Sequence, residues 1–230
     1  NLVKRSEMSQ DFLNRIQQRI ESRSLLNHPF YKAWQAGELT CQELKVYASQ
    51  YYHFEAAFPV LLSSVHSRCD ERDVRQSILE NLWDEEHGDI NHRAMWLDFC
   101  ESLGLHREEP ELTKRLAETQ DLLDIYHRIC DKGTFQQGLA ALYAYEEQVP
   151  EIMLEKIRGL KEYFDITSDK ALRFFEVHSV LDEDHSEKER QSILDHTNQE
   201  DEQSVEASLQ EALDGWWGFL DGIMGHCKAA

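Results

Sequence analysis

The chain has 230 residues, enough to bury a full hydrophobic core, and sets 24 lysines and arginines against 44 aspartates and glutamates, a formal charge of −20. That balance repels phosphate backbones and anionic membrane surfaces, and no stretch is apolar for the ~18 residues that a bilayer span needs, so neither nucleic acid nor a membrane is an expected partner. The five cysteines, Cys41, Cys69, Cys100, Cys130 and Cys227, are odd in number and lack metal-finger spacing, which points to a reduced, cytoplasmic setting.

The opening NLVKRSEMSQ has no apolar leader core and no initiator Met, as expected of a sequence that begins inside a longer one. Glycine and proline are sparse and apolar residues recur every three or four positions, which predicts an all-α chain and one helical domain over 1–230, with disorder expected, if anywhere, at its first residues. A first helix is expected over roughly 9–26, with Phe12, Leu13, Ile16 and Ile20 on its buried face. Pro29 suits the first turn of a short helix holding Phe30, Tyr31 and Trp34, which Gly37 ends. Thr40 and Glu43 form a capping-box signature for a long helix to about His66, kinked at Pro59. Asp70 is the expected cap of a helix over about 71–87, interrupted at Gly88 before a helical continuation to Leu103. HREEPEL reads as a polar connection to a helix over about 113–131. Gly133 and Thr134 open another that reaches Ile157, bent at Pro150. After RGLKEYFDI, Thr167 or Ser168 caps a helix to about His196, and a last helix over about 200–221 carries Trp216, Trp217 and Phe219.

Chemistry concentrates in FFEVHSVLDEDHSEKE. His178, Asp182 and His185 fall at offsets of zero, four and seven, which at about 100° per residue lie within roughly 40° of one another on one helix face. Val177, Val180 and Leu181 between them suggest a packed helix, and two histidines with one carboxylate suit iron, manganese or zinc. In LWDEEHGDINH, Glu85 and His92 are seven residues apart, a rise of about 10.5 Å in a straight helix, too far for one ion unless the helix breaks at Gly88 or two ions are held. Glu86, His87 and Asp89 compete with Glu85 on spacing alone. Glu146, in the apolar LYAYEEQVP, would be costly to bury unpaired, and a metal would satisfy it; Glu147 is the alternative inward carboxylate. Helical bundles house dinuclear sites from such Glu and His sets, and Glu85, His92, Glu146, His178, Asp182 and His185 would leave coordination positions open for oxygen.

With YYHFEAAFP, SSVHSRCD, NLWDEEHGDINH, LAALYAYEEQVP and EKIRGLKEYF in this order, the sequence resembles the haem-oxygenase-like dinuclear metal oxidases, and within them the chlamydial protein associating with death domains and its bacterial homologues. The resemblance implies an all-α, haem-oxygenase-like (TenA/PqqC-like) helical bundle, and it chooses Glu85 over Glu86 and Asp89. It implies a di-iron or mixed manganese–iron site that activates dioxygen, with an external reductant, to make para-aminobenzoate for folate synthesis. It further implies that one of the protein's own tyrosines is consumed and that a lysine supplies nitrogen. Those roles fall on Tyr31 in HPFYKAW and Lys156 in EKIRGL, with Tyr145 as a tyrosine near the metals. Where the group can show a further tyrosine, this chain has Phe174, so a relay through that position does not carry over. No residues carrying a death-domain contact can be pointed to.

Read alone, Tyr31 packs beside Phe30 and Trp34, and Lys156 is a helix-end lysine. Three readings therefore compete with a self-consuming oxygenase: a dinuclear oxidase of a small exogenous acid or amine, a PqqC- or TenA-like cofactor-biosynthesis protein, and an interaction protein on a metal-binding scaffold. Homodimerisation and an electron-delivering partner are open expectations.

Overall fold

In a computed structural model, backbone is described for residues 2–229 and side chains for 10–228; the expectation of disorder at the first residues lies outside the described side chains. The described residues form eleven α-helices and no strand: α1 Leu2–Ser22, α2 Pro29–Ala36, α3 Cys41–Arg68, α4 Arg72–Glu86, α5 His92–Ser102, α6 Glu109–Leu112, α7 Ala117–Lys132, α8 Phe135–Glu146, α9 Val149–Phe164, α10 Asp169–His196 and α11 Glu202–Ala229. A 3-10 turn, Leu25–Asn27, joins the first two.

Local chemistry sets most boundaries. His28 caps α2 through its ring, Pro29 opens it, and Gly37 closes it at φ 69°. Thr40 and Glu43 exchange both capping-box bonds at the start of α3, which then runs uninterrupted through Pro59. Pro59 has no N–H to offer the carbonyl of Glu55, one turn earlier. Ser168 caps α10, accepting from Ala171.

Four expectations need correction. Glu71, not Asp70, is the cap of α4, without a side-chain bond. HREEPEL holds α6, because Pro110 sits in its first turn. The helix expected from Thr134 to Ile157 is two, α8 and α9, parted at Glu147 and Gln148, since Pro150 initiates α9 rather than bending a longer helix. RGLKEYFDI is mostly the end of α9, where Gly159 admits Trp34: a Cβ there would lie 2.5 Å from Trp34 Nε1.

The long helices α3, α10 and α11 frame the packing: α11 lies along α8 and α7, α10 along α9, α5 and α8, and α3 against α4 and α7. Trp34, Trp96, Trp216, Tyr47, Tyr51, Tyr126 and Phe54 are among the side chains buried between them. Arg15 and Arg19 of α1 converge on Glu206 of α11 at 2.7 and 3.0 Å.

Candidate metal centre

α10 presents Phe174, His178, Asp182, His185 and Glu189 inward at helical spacing. Val180, expected to pack, is 68% exposed, so this stripe rather than Val180 marks the buried face. α4 ends at Glu86 and Gly88 takes φ 81°, which turns the chain so that α5 begins at His92. The break brings His92 Nδ1 to 2.9 Å from Glu85 Oε1. Glu146 is the last residue of α8 and Asn81 donates to its Oε1 at 2.9 Å.

Two donor groups result. Glu55, Glu85, His92 and His178 each turn one donor atom into a cluster whose members lie within 4.8 Å of one another, and so do Glu146, Asp182 and His185. His178 Nε2 is 3.9 Å from Glu85 Oε1, and His185 Nδ1 is 3.7 Å from Asp182 Oδ1 and 4.0 Å from Glu146 Oε1. The carbonyl of Phe174, 2.8 Å from His178 Nδ1, can only accept; it therefore fixes the proton there and leaves Nε2 free toward Glu85. Asp84 does the same for His185, meeting Nε2 at 3.2 Å and freeing Nδ1.

Among the described residues, Glu55 Oε1, Glu85 Oε2, His92 Nδ1, Glu146 Oε2 and His185 Nδ1 are buried without a hydrogen-bond partner; the short His92–Glu85 approach lacks hydrogen-bonding geometry. Each such group costs about 1–3 kcal/mol when left unanswered. Burial, then repulsion from Asp182 and Glu146, pushes the Glu85 carboxyl far above its usual range, and burial does the same to Glu55. Burial drives His178 well down, with His92 adding to it. Burial also works against a charged His185, but Asp182, Glu146 and Asp84 raise it to about 9. Burial, then Glu146, pushes the Glu189 carboxyl well above its usual range. Cations at the two donor groups would relieve all of these at once, so the residues fit two divalent transition-metal ions.

Between the groups lies a cavity of about 10 Å³, lined by Glu55, Glu85 and His178 of one set and Glu146 and Asp182 of the other, together with Tyr51, Phe54, Phe58 and Tyr145. A second layer adjoins it. Tyr145 donates to Tyr51 (2.9 Å), Lys156 donates to Tyr47 (2.7 Å), and the Tyr31 and Tyr47 hydroxyls are 3.3 Å apart. The Lys156 amine lies 5.1 Å from the Tyr51 ring centre and 5.7 Å from that of Tyr31. Burial pushes this amine down to about 7, against the pull of Glu55.

The structure thus gathers the six expected donors and sets Tyr145 beside them; Tyr31 and Lys156 stand one layer back, outside the cavity lining. Glu86, His87, Asp89 and Glu147 are exposed. Sequence reasoning missed Glu55, Glu189, Tyr47 and Tyr51. The available signal was the four-residue spacing of Tyr47, Tyr51 and Glu55 along one face of α3.

Residues 45–217 match the family described as iron-containing redox enzymes. The chain is 38% identical over 213 residues to the 4-aminobenzoate synthase of Chlamydia pneumoniae, covering 93% of this chain and 95% of that one. It is also 38% identical over 222 residues to the 4-aminobenzoate synthase of Nitrosomonas europaea, covering 92% and 90%. A solved domain from Shewanella denitrificans with a haem-oxygenase-like fold superposes with a TM-score of 0.76 at 20% identity, covering 99% of this chain and 94% of that one.

Proposed function

We propose, on the premise that this chain belongs to the haem-oxygenase-like family of iron-containing redox enzymes, that it is a dinuclear-metal oxygenase making 4-aminobenzoate, the folate precursor, from its own Tyr31. The observation that carries this reading is one of space. The cavity beside the donor groups, about 10 Å³, has room for about one water and none for an exogenous aromatic acid. An aromatic ring and an amine, Tyr31 and Lys156, are already sealed in the next layer.

Glu85, His92 and His178 would hold one ion and Glu146, Asp182 and His185 the other, with Asn81, Asp84 and the Phe174 carbonyl orienting them. When bound, iron with iron or manganese with iron supplies dioxygen activation, with electrons from an external reductant. In the overall conversion the Cα–Cβ bond of Tyr31 breaks and Cβ is oxidised to the carboxylate. Nitrogen from Lys156 replaces the phenolic oxygen, which leaves as water, while the Lys156 Cε–Nζ bond breaks with Cε oxidised to an aldehyde; dioxygen is the oxidant for both carbons. Tyr47 holds both reacting side chains, accepting from Lys156 and meeting the Tyr31 hydroxyl. An amine brought down to about 7 offers a lone pair at neutral pH. Tyr51 and Tyr145, hydrogen-bonded and in contact with the cavity, give an electron leaving Tyr31 a route toward the donor groups. The packed aromatic shell keeps water out.

Purified protein given iron, or iron with manganese, reductant and dioxygen should release 4-aminobenzoate without any added aromatic compound, at no more than one per chain. Tyr31→Phe should abolish release and leave metal content unchanged, because it removes one hydroxyl and no donor. Many turnovers on an added small molecule, or full release by Tyr31→Phe, would overturn the reading.

A further inference from the structure

Glu55 belongs to no ligand set that the resemblance supplies, yet it is built into the centre. It lies on α3, one turn beyond Tyr51 and two beyond Tyr47, and is 4% exposed. Its Oε1 has no hydrogen-bond partner among the described residues. A Glu55 carboxylate oxygen lies within 4.8 Å of donor atoms from Glu85, His92 and His178, all buried. Lys156, whose charge acts on it after that of His92, gives its hydrogen bond to Tyr47 instead.

Charge counting gives the carboxylate a purpose. Two divalent ions carry four positive charges into a compartment from which water is excluded. Glu85, Glu146 and Asp182 supply three negative charges, and a net charge left in such a place is costly. Glu55 supplies the fourth, on the side where one carboxylate otherwise stands with two neutral imidazoles.

We propose that Glu55 is a fourth protein ligand of the ion held by Glu85, His92 and His178. The centre then has unequal halves: a four-donor position that fills first, and a three-donor position at Glu146, Asp182 and His185 with more open coordination. The inference rests on the dinuclear reading above.

Anaerobic titration of the metal-free full chain with Co(II), followed by d–d absorption and by elemental analysis, tests it. The wild-type chain should bind two equivalents in sequence. Glu55→Gln, nearly isosteric, should lose about tenfold or more in affinity for the first equivalent and change its absorption, while the second keeps its spectrum. Glu55→Ala should do the same, which guards against a variant-specific folding defect, and far-UV circular dichroism of both metal-free variants should match the wild type. An unchanged first equivalent in both variants, with His178→Ala losing it, would overturn the Glu55 assignment and leave the dinuclear reading standing. Weakened binding with an unaltered first spectrum would overturn it too, making Glu55 a nearby charge rather than a ligand. A wild-type chain that binds no Co(II) or Fe(II) would sink the dinuclear reading itself.

Discussion

Lys156 sits where burial disfavours its charged form. Its side chain is fully buried, ringed by Tyr31, Tyr47, Tyr51, Trp96 and Phe175, and among the described residues its side-chain hydrogen bond goes to a phenol. Burial lowers its pKa from 10.5 to about 7, so between those values the folded chain binds fewer protons than the unfolded one. Stability contributed at this site therefore rises with pH across that window, and the penalty is fully present below about 7. Lys156→Met keeps the apolar stem and removes the penalty. In chelator-treated protein it should be more stable than wild type at pH 7 by a few kcal/mol, at about 1.4 kcal/mol per pKa unit, and the gain should shrink steadily toward pH 10. Denaturant titrations at three pH values measure this, and a constant difference across them would contradict the lowered pKa. The same variant should release no 4-aminobenzoate. A lysine that costs stability and yet is enclosed by aromatic faces is the pattern expected of a reacting group rather than a structural one.

At the scale of elements, α2 and α9 carry Tyr31 and Lys156 respectively, and their approach depends on Gly159. A methyl there would meet Trp34 Nε1 at 2.5 Å and Cδ1 at 2.6 Å, and Trp34 packs on Phe30, Tyr31 and Tyr47. Gly159→Ala should cost about 1–3 kcal/mol in thermal or denaturant unfolding and lower product yield, with metal content unchanged. An unaltered unfolding midpoint would show that the helices can part without cost. The expected end at Ile157 falls two residues short of this glycine, which the helix carries through for a close approach. Elements with strong terminal chemistry were legible, as Thr40 with Glu43, Gly37 and Ser168 show. The donor stripe of α10 was legible as well, because its outer face is charged and the contrast reveals which way His178, Asp182 and His185 point. α3 offers no such contrast. It is buried nearly all round, from Tyr47 to Phe58, so a lone Glu55 among aromatics gives no sign of its direction. Glu85 needed the resemblance, since Glu86 is its neighbour in α4 and Asp89 follows the turn at Gly88, and spacing alone does not say which carboxylate faces inward.

For the whole molecule, the donors come from α3, α4, α5, α8 and α10, so ions bound there would tie together five helices that otherwise bring buried carboxyl and imidazole groups into one place. Surface electrostatics cannot substitute for this. The chain carries a formal charge of −20, and the α1–α11 ion pairs involve arginines about two-fifths exposed, each pair worth roughly 0–1 kcal/mol. Chelation should therefore lower the melting temperature far more than added salt changes it. At free metal about 100 times Kd, one occupied site adds about 2.7 kcal/mol, and the gain should grow with metal concentration. Bound ions need deprotonated donors, so the metal-dependent gain should also shrink as pH falls. Melting curves with chelator, with Fe(II) under anaerobic conditions, and at two salt concentrations separate these terms. A midpoint that ignores chelator and metal alike would mean that the unpaired atoms of Glu55, Glu85, His92, Glu146 and His185 are answered by something other than a cation.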